Sequence, residues 1–296
     1  MSFSSDVKNE ITQCERENHC CKHAFLYGML LFGRIFSSKS ITMQTENENI
    51  AKLYRELVLD ECKANVKIKR TKSGKCTVVV PEVSDRLKVL NCFGHNPNEI
   101  TLRINRSNFN CSNCEGAFFA GAFLSCGTVS SPEKDYHLEF VVPYLNLSKS
   151  LIKLMSEFEL EPKLTNRKGY SIVYFKESES IEDCLYRMGA AKAAFEIMNI
   201  KVVKDFRNKA NRMANCETAN ITRIIDACAP QLLAIEKIKE EKGLEFLSDE
   251  LREIAVLRQE NPEASLQELA DLTSAGLSRS GVNHRLKKLE KIAEEL

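Results

Sequence analysis

Apolar residues follow two different rhythms along this chain. Between Ala24 and Leu31, and again between Ala117 and Leu124, nearly every position is apolar and no polar stripe is left for water. Around these runs the pattern is periodic. Ser40–Thr45 alternates like a strand, and Ile50, Leu53, Tyr54, Leu57 and Val58 recur at helical spacing within Asn49–Asp60. Asn65–Arg70 and Cys76–Val80 read as strands joined by the turn Lys72-Ser73-Gly74, and Pro81 ends the second of them. Val83–Cys92 then reads as a helix. The same order returns with a strand at Tyr136–Val142, a helix at Leu145–Phe158 and strands at Pro162–Asn166 and Tyr170–Phe175 around Arg167-Lys168-Gly169. A helix from about Ser180 closes this second series.

The two apolar runs are one piece written twice. Cys21, Ala24, Phe25, Gly28 and Leu31 recur as Cys114, Ala117, Phe118, Gly121 and Leu124, each 93 residues later, and Ser37-Ser38 recurs as Ser130-Ser131. A long period seen twice signals a duplicated half-domain rather than a solenoid. Each copy carries a glycine in mid-helix, which costs about 1 kcal/mol relative to alanine. Close approach of another backbone explains such a glycine most simply, and the other copy is the obvious partner. Neither apolar run contains Asp or Glu.

From about Val203 the pattern is helical throughout. Phe206–Ala229 lacks glycine and proline, and Pro230-Gln231 is expected to open a further helix that ends near Gly243. The last fifty or so residues read as three short helices. Asp249–Gln259, capped by Ser248, is stopped by Asn261-Pro262. Ser265 caps Leu266–Thr273, with Glu268 completing a capping box. Ser274–Leu277 turns the chain, and Ser278 caps Arg279–Glu295. Two helices around a tight glycine-containing turn describe a helix-turn-helix, whose second helix presents its N-terminal residues to base edges. Here that opening is Arg279, Ser280, Gly281, Asn283, His284 and Arg285. Arg can address guanine and Asn adenine. Lys287, Lys288 and Lys291 follow where phosphate contacts fall, and the caps Ser265 and Ser278 complete the candidate DNA-binding set. Val282, Leu286, Leu289 and Ile292 supply the buried face. The plainer alternative is a solvated basic helix, but the capped, turned context favours double-stranded DNA as partner.

Composition changes this picture little. The chain has 296 residues, 43% hydrophobic and 28% charged, with a net charge of +1. Residues 1–204 carry 28 basic and 24 acidic groups, and residues 205–296 carry 14 and 17. No apolar run reaches a membrane span and the N-terminus has no signal-peptide core, so a cytoplasmic protein is expected, nucleoid-associated if it binds DNA. The 12 cysteines are expected to be free, mostly buried thiols. His19-Cys20-Cys21-Lys22-His23 and Cys111-Ser112-Asn113-Cys114 begin the two repeated helices, and side-by-side packing would bring these ends together. Thiols and imidazoles suit zinc, yet the second C-x-x-C of a zinc ribbon is absent, and no metal or cofactor is assigned. Lys69, Arg70 and Lys72 on the first hairpin, and Arg167 and Lys168 on the second, are secondary candidates for contacts to the DNA backbone. Lysines also block exposed strand edges.

Leu26-Tyr27-Gly28-Met29-Leu30-Leu31-Phe32-Gly33-Arg34 and Phe119-Ala120-Gly121-Ala122-Phe123-Leu124-Ser125-Cys126-Gly127 resemble the nine-residue motif of the LAGLIDADG homing endonucleases. That resemblance implies paired helices with an acidic metal ligand at the eighth position. Here the eighth positions are Gly33 and Cys126 and the sixth are Leu31 and Leu124, so no carboxylate is present for a hard divalent ion. The nuclease reading survives only if acids elsewhere do the work.

The whole chain resembles the WhiA family of bacterial regulators. The likeness rests on Met1-Ser2-Phe3-Ser4-Ser5, Tyr136–Phe140, Asn211–Ile221, Ala255–Leu266 and Ser278–Leu286. It implies an α+β fold of duplicated LAGLIDADG-like α/β half-domains followed by an all-α helix-turn-helix domain. The expected divisions are 1–106 and 107–204 for the halves, 205–247 for a helical linker and 248–296 for the DNA-binding domain. It also implies a non-enzymatic DNA-binding protein of cell division and chromosome segregation, with sporulation in some lineages. The N-terminal domain is a candidate docking site for a protein or ligand.

Overall fold

Alternating residues bury one face of the inner strands of the first series and of the matching strand in the second, and the two series build the same sheet twice. In the computed structural model, which describes residues 2–71 and 74–296, β1 (Ile35–Phe36), β2 (Ile41–Thr45), β3 (Lys67–Arg70) and β4 (Cys76–Val79) form one antiparallel sheet. Its order is β1-β2-β4-β3. β5 (Gly127–Val129), β6 (Leu138–Val142), β7 (Lys163–Arg167) and β8 (Tyr170–Phe175) form the second, in the matching order β5-β6-β8-β7. Ile41 and Met43 of β2, and Leu138, Phe140 and Val142 of β6, point into the core, as the period of two requires. Lys72 and Ser73, the first two residues of the predicted turn, lie outside the described residues.

The chain divides into two compact units, Met1–Lys204 and Asp205–Leu296. In the first, α1 (Phe3–Gln13), α2 (His19–Leu31), α3 (Glu48–Cys62) and α4 (Val83–Cys92) accompany the first sheet. α5 (Cys114–Cys126), α6 (Leu145–Ser156) and α7 (Ser178–Arg187) accompany the second. One hydrophobic cluster runs through both halves, with Tyr27, Phe25, Phe32, Phe118, Phe119 and Phe123 among its fully buried side chains. Each such side chain is worth roughly 1.5–3 kcal/mol relative to exposure.

The two repeated helices, α2 and α5, form the seam of this core. A Cβ on Gly28 would overlap the carbonyl oxygen of Phe118 and lie 2.8 Å from the Ala122 nitrogen. A Cβ on Gly121 would overlap the Phe25 carbonyl and lie 2.9 Å from the Met29 nitrogen. The contacts are reciprocal at the 93-residue offset, so each glycine admits the backbone of the other copy. The seam is asymmetric in one respect. The Tyr27 hydroxyl accepts from the Asn105 N–H at 2.8 Å and reaches His95 Nε2 at 2.8 Å, while His95 Nδ1 lies 2.7 Å from Glu99. The Tyr27 hydroxyl thus sits between a backbone donor and one imidazole nitrogen, while the other imidazole nitrogen faces Glu99. Burial pushes the Tyr27 phenol above its ordinary pKa. The same position in the second copy is Ala120.

α1 escapes the sequence pattern because only Val7 and Ile11 are buried, too few to announce a period. It nevertheless matters to the fold. The Glu10 carboxylate accepts the backbone N–H groups of Lys192 and Ala193 at 2.7 and 3.1 Å, capping a helix that begins 181 residues later.

That helix, α8, corrects one expectation. Pro230 does not open a new helix: α8 runs unbroken from Ala191 to Glu241 with Pro230 inside it. Proline removes the N–H that would bond the Asp226 carbonyl. The helix continues because the next turn docks Ala234, Ile235 and Ile238 into the core of the second unit. That core also contains residues of α9 (Asp249–Glu260), α10 (Leu266–Leu272) and α11 (Arg279–Glu295), so the end of α8 is a fourth wall of the three-helix cluster.

Candidate nucleic-acid interface

The corner between α10 and α11 is built from short-range bonds that the sequence encodes. Ser265 Oγ accepts from the Glu268 N–H at 3.2 Å while Glu268 returns a bond to the Ser265 N–H at 2.7 Å, a complete capping box. Thr273, buried at the end of α10, donates its hydroxyl to the Ala270 carbonyl at 2.7 Å and accepts the Leu277 N–H at 3.0 Å. Glu253 of α9 accepts the Ser274 N–H at 2.7 Å, which ties the turn to the first helix and holds the Glu253 carboxyl below its usual range. Ser278 Oγ then caps α11 through the Gly281 N–H at 3.2 Å. Ser248 occupies the N-cap of α9, but its side chain makes no capping bond.

Val282, Leu286, Leu289 and Ala293 bury one stripe of α11, with Ile292 half-buried beside it. At about 100° per residue, Arg279, Ser280, Asn283, His284, Lys287, Lys288 and Lys291 occupy the opposite arc of about 180°. All are exposed except Asn283, which is half-exposed. Gly281 lies beside the arc. Arg285 stands apart from it. Its guanidinium lies 2.9 Å from Glu250 of α9, with the side chain 17% exposed, on the flank of the buried stripe. Ser265 and Ser278 spend their hydroxyls on capping bonds. The seven-residue arc is thus the outward-facing part of the predicted set, and Arg285 holds α11 to α9.

The hairpin candidates fall on edge strands. Lys69 and Arg70 lie on β3, Arg167 ends β7 and Lys168 follows in a left-handed turn conformation with φ 51°. Arg70 pairs with Glu48, and Arg167 pairs with Glu139 at 3.1 Å. Lys69 and Lys168 are exposed. Lys72 lies outside the described residues.

The C-terminal ends of α2 and α5 border a cleft lined by Gly33, Arg34, Gln44, Ser125, Cys126 and Tyr170 among others, with no carboxylate in its lining. Burial pushes the Cys126 thiol up to about 12 against the pull of Lys8. The opposite ends of the same helices differ. There Cys20, Cys21, Cys111 and Cys114 bring their sulfur atoms within 4.8 Å of one another. The pair that sequence spacing left missing is supplied by adjacent residues, Cys20 and Cys21, across the seam. The neighbouring imidazoles point elsewhere. His19 and His23 lie 3.1 and 3.2 Å from Glu61, and His23 Nε2 lies 3.0 Å from Asn108.

Two LAGLIDADG-like halves without the motif acids, joined in one chain to a helix-turn-helix, define a class of protein with a nuclease-type scaffold and a separate reading head. The comparisons agree on which. The model of the WhiA LAGLIDADG-like domain matches residues 115–207, and that of the WhiA C-terminal HTH domain matches residues 210–293. The probable cell division protein WhiA of Alkaliphilus metalliredigens is 36% identical over 310 residues, covering 99% of this chain and 98% of that one. Its counterpart from Caldicellulosiruptor saccharolyticus is 37% identical over 311 residues, covering 100% and 96%. The crystal structure of full-length DUF199/WhiA from Thermotoga maritima shares the fold with a TM-score of 0.61 at 23% identity, over 100% of this chain and 99% of that one. The chain belongs to the WhiA family.

Proposed function

We propose that this protein is a sequence-specific DNA-binding regulator acting in cell division and chromosome segregation, associated with the nucleoid and without nuclease activity. The observation that carries the reading is the outward arc of α11, where Arg279, Ser280, Asn283 and His284 open a capped helix and Lys287, Lys288 and Lys291 follow on the same side. Side chains at the start of a recognition helix read base edges, and lysines further along neutralise phosphates. Arg279 and Asn283 are the bidentate readers in this scheme, and Arg285 positions the helix. The biological setting rests on the relatives named as cell division proteins. A role in sporulation belongs to the same family expectation.

The absence of catalysis is argued from donors. A hard divalent ion needs carboxylate oxygens, and the cleft at the C-terminal ends of α2 and α5 offers a glycine and a protonated thiol at the two motif positions. The N-terminal unit is then a scaffold and a candidate docking site for a protein partner, with Lys69, Lys168 and the neighbouring arginines as secondary backbone contacts.

Chromatin immunoprecipitation of the full-length protein, followed by anisotropy titration with the recovered fragments, tests the reading. Specific binding should weaken about tenfold or more in Arg279→Ala. A Lys287→Ala and Lys291→Ala double variant should weaken all sequences alike and flatten the salt dependence by about one unit per lost phosphate contact. Fragments bound equally well by wild type and Arg279→Ala would remove α11 as the reader. Magnesium- or manganese-dependent nicking of those fragments would overturn the non-enzymatic part.

A further inference from the structure

The unit whose motif positions carry no acid does carry a complete set of soft ligands. Cys20 and Cys21 lie in the first turn of α2. Cys111 precedes α5 and Cys114 is its first residue. Cys111 is the hub, 3.5 Å from the Cys20 sulfur, 3.4 Å from Cys21 and 3.4 Å from Cys114, and all four sulfurs fall within 4.8 Å of one another. We propose that these four cysteines hold one structural zinc ion, which clamps the two halves of the N-terminal unit at the start of their shared helix seam.

Size is the first argument. Zn–S bonds of about 2.3 Å give a tetrahedron with edges of about 3.8 Å. The sulfur separations match a cage for one ion and are too short for a multi-iron cluster. They are also too long for a disulfide, whose S–S bond is about 2.05 Å. Ligand chemistry is the second. Four thiolates and no oxygen donor select zinc over magnesium, calcium or manganese. As the ion enters, its sulfur bonds replace S–H bonds and the protons leave to solvent.

Burial raises the Cys21 and Cys114 thiols, and the helix ends and nearby positive groups work against that burial. The N-termini of α2 and α5 converge on the cluster, and the positive ends of two helices favour negative sulfur. The backbone N–H of Asn113 points at the Cys111 sulfur, and the Arg16 guanidinium is a nearby positive charge for Cys21. Cys21 and Cys114 are buried while Cys20 and Cys111 are partly exposed, so the cage has both a protected floor and a path for loading. The ligands come in pairs from two halves some ninety residues apart. A bound ion therefore closes a long loop and fixes the register of the glycine seam.

Metal analysis of untagged full-length protein, purified anaerobically after growth with zinc, tests this. About one equivalent of zinc per chain is expected, with Cys111→Ser lowering it several-fold and Cys216→Ser, on the exposed face of α8, leaving it unchanged. Should Cys111→Ser not fold, cobalt(II) titration of the wild type still decides the matter. The intense visible bands of a tetrahedral tetrathiolate, displaced by zinc, support the site. Zinc below about half an equivalent together with no such bands overturns it. So does bound iron in place of zinc, or a disulfide among these cysteines after rapid thiol trapping.

Discussion

The α2–α5 seam and the α10–α11 corner are both helix pairs, yet they use their surfaces in opposite ways. At the seam almost every residue from Ala24 to Leu31 and from Ala117 to Leu124 is buried, and the helices meet through glycines. At the corner only a stripe of α11 is buried, and half its circumference carries arginine, asparagine, histidine and lysine into solvent. A stretch of helix covered on every side has nothing left with which to meet DNA. A helix held by one stripe and one capping serine presents the rest of itself. The contrast fits the proposed division of one chain into scaffold and reader.

The sharpest way to break the seam is Gly121→Leu. Its Cβ alone collides with the Phe25 backbone, which cannot yield, so a loss of more than about 4 kcal/mol and failure to accumulate folded protein are expected. Circular dichroism and denaturant titration read this directly. The same change on the exposed arc, Ser280→Leu, should move stability by no more than about 0.5 kcal/mol. Next comes Tyr27→Phe, which leaves the half-buried Asn105 N–H and the buried His95 Nε2 without their partner. A cost of about 2 kcal/mol is expected, read from the urea midpoint.

At the corner, Arg285→Ala should cost about 1 kcal/mol of stability through lost packing and the lost Glu250 pair, whereas Arg279→Ala should leave the unfolding midpoint unchanged. Thermal melts of the two variants beside their DNA affinities would show whether positioning and reading are separable. The smallest expected effect concerns pH. The Glu253 carboxyl is held below its usual range by the Ser274 N–H, so its contribution is complete above the unfolded pKa of about 4.3 and is lost as pH falls through the folded value. Glu253→Gln should flatten that acid limb by about 1 kcal/mol or less in melts followed from neutral pH down to about 3.

Much of this fold is legible in the sequence because its determinants are local or repeated. The period-two runs and the Ser265–Glu268 capping box lie within a few residues of their own effects, and the glycine of each apolar helix is legible because it is written twice. The polar opening of α11 could be read for the same reason, since helical spacing alone puts Arg279, Asn283 and Lys287 on one side. α1 was not legible, because two buried residues make no period. The continuity of α8 through Pro230 was not either, since a proline is ordinarily a stop and only the core that receives Ile235 and Ile238 carries the helix onward.

By itself, then, the sequence determined the duplication, the acid-free seam and the helix-turn-helix pattern, each a matter of spacing along the chain. Tertiary structure decided what depends on distance through space. It assigned Arg285 to Glu250, Glu10 to the start of α8, His19 and His23 to Glu61, and four cysteines from two halves to one another. Those pairings join residues separated by tens to nearly two hundred positions. Spacing carries no information about them until the core has closed.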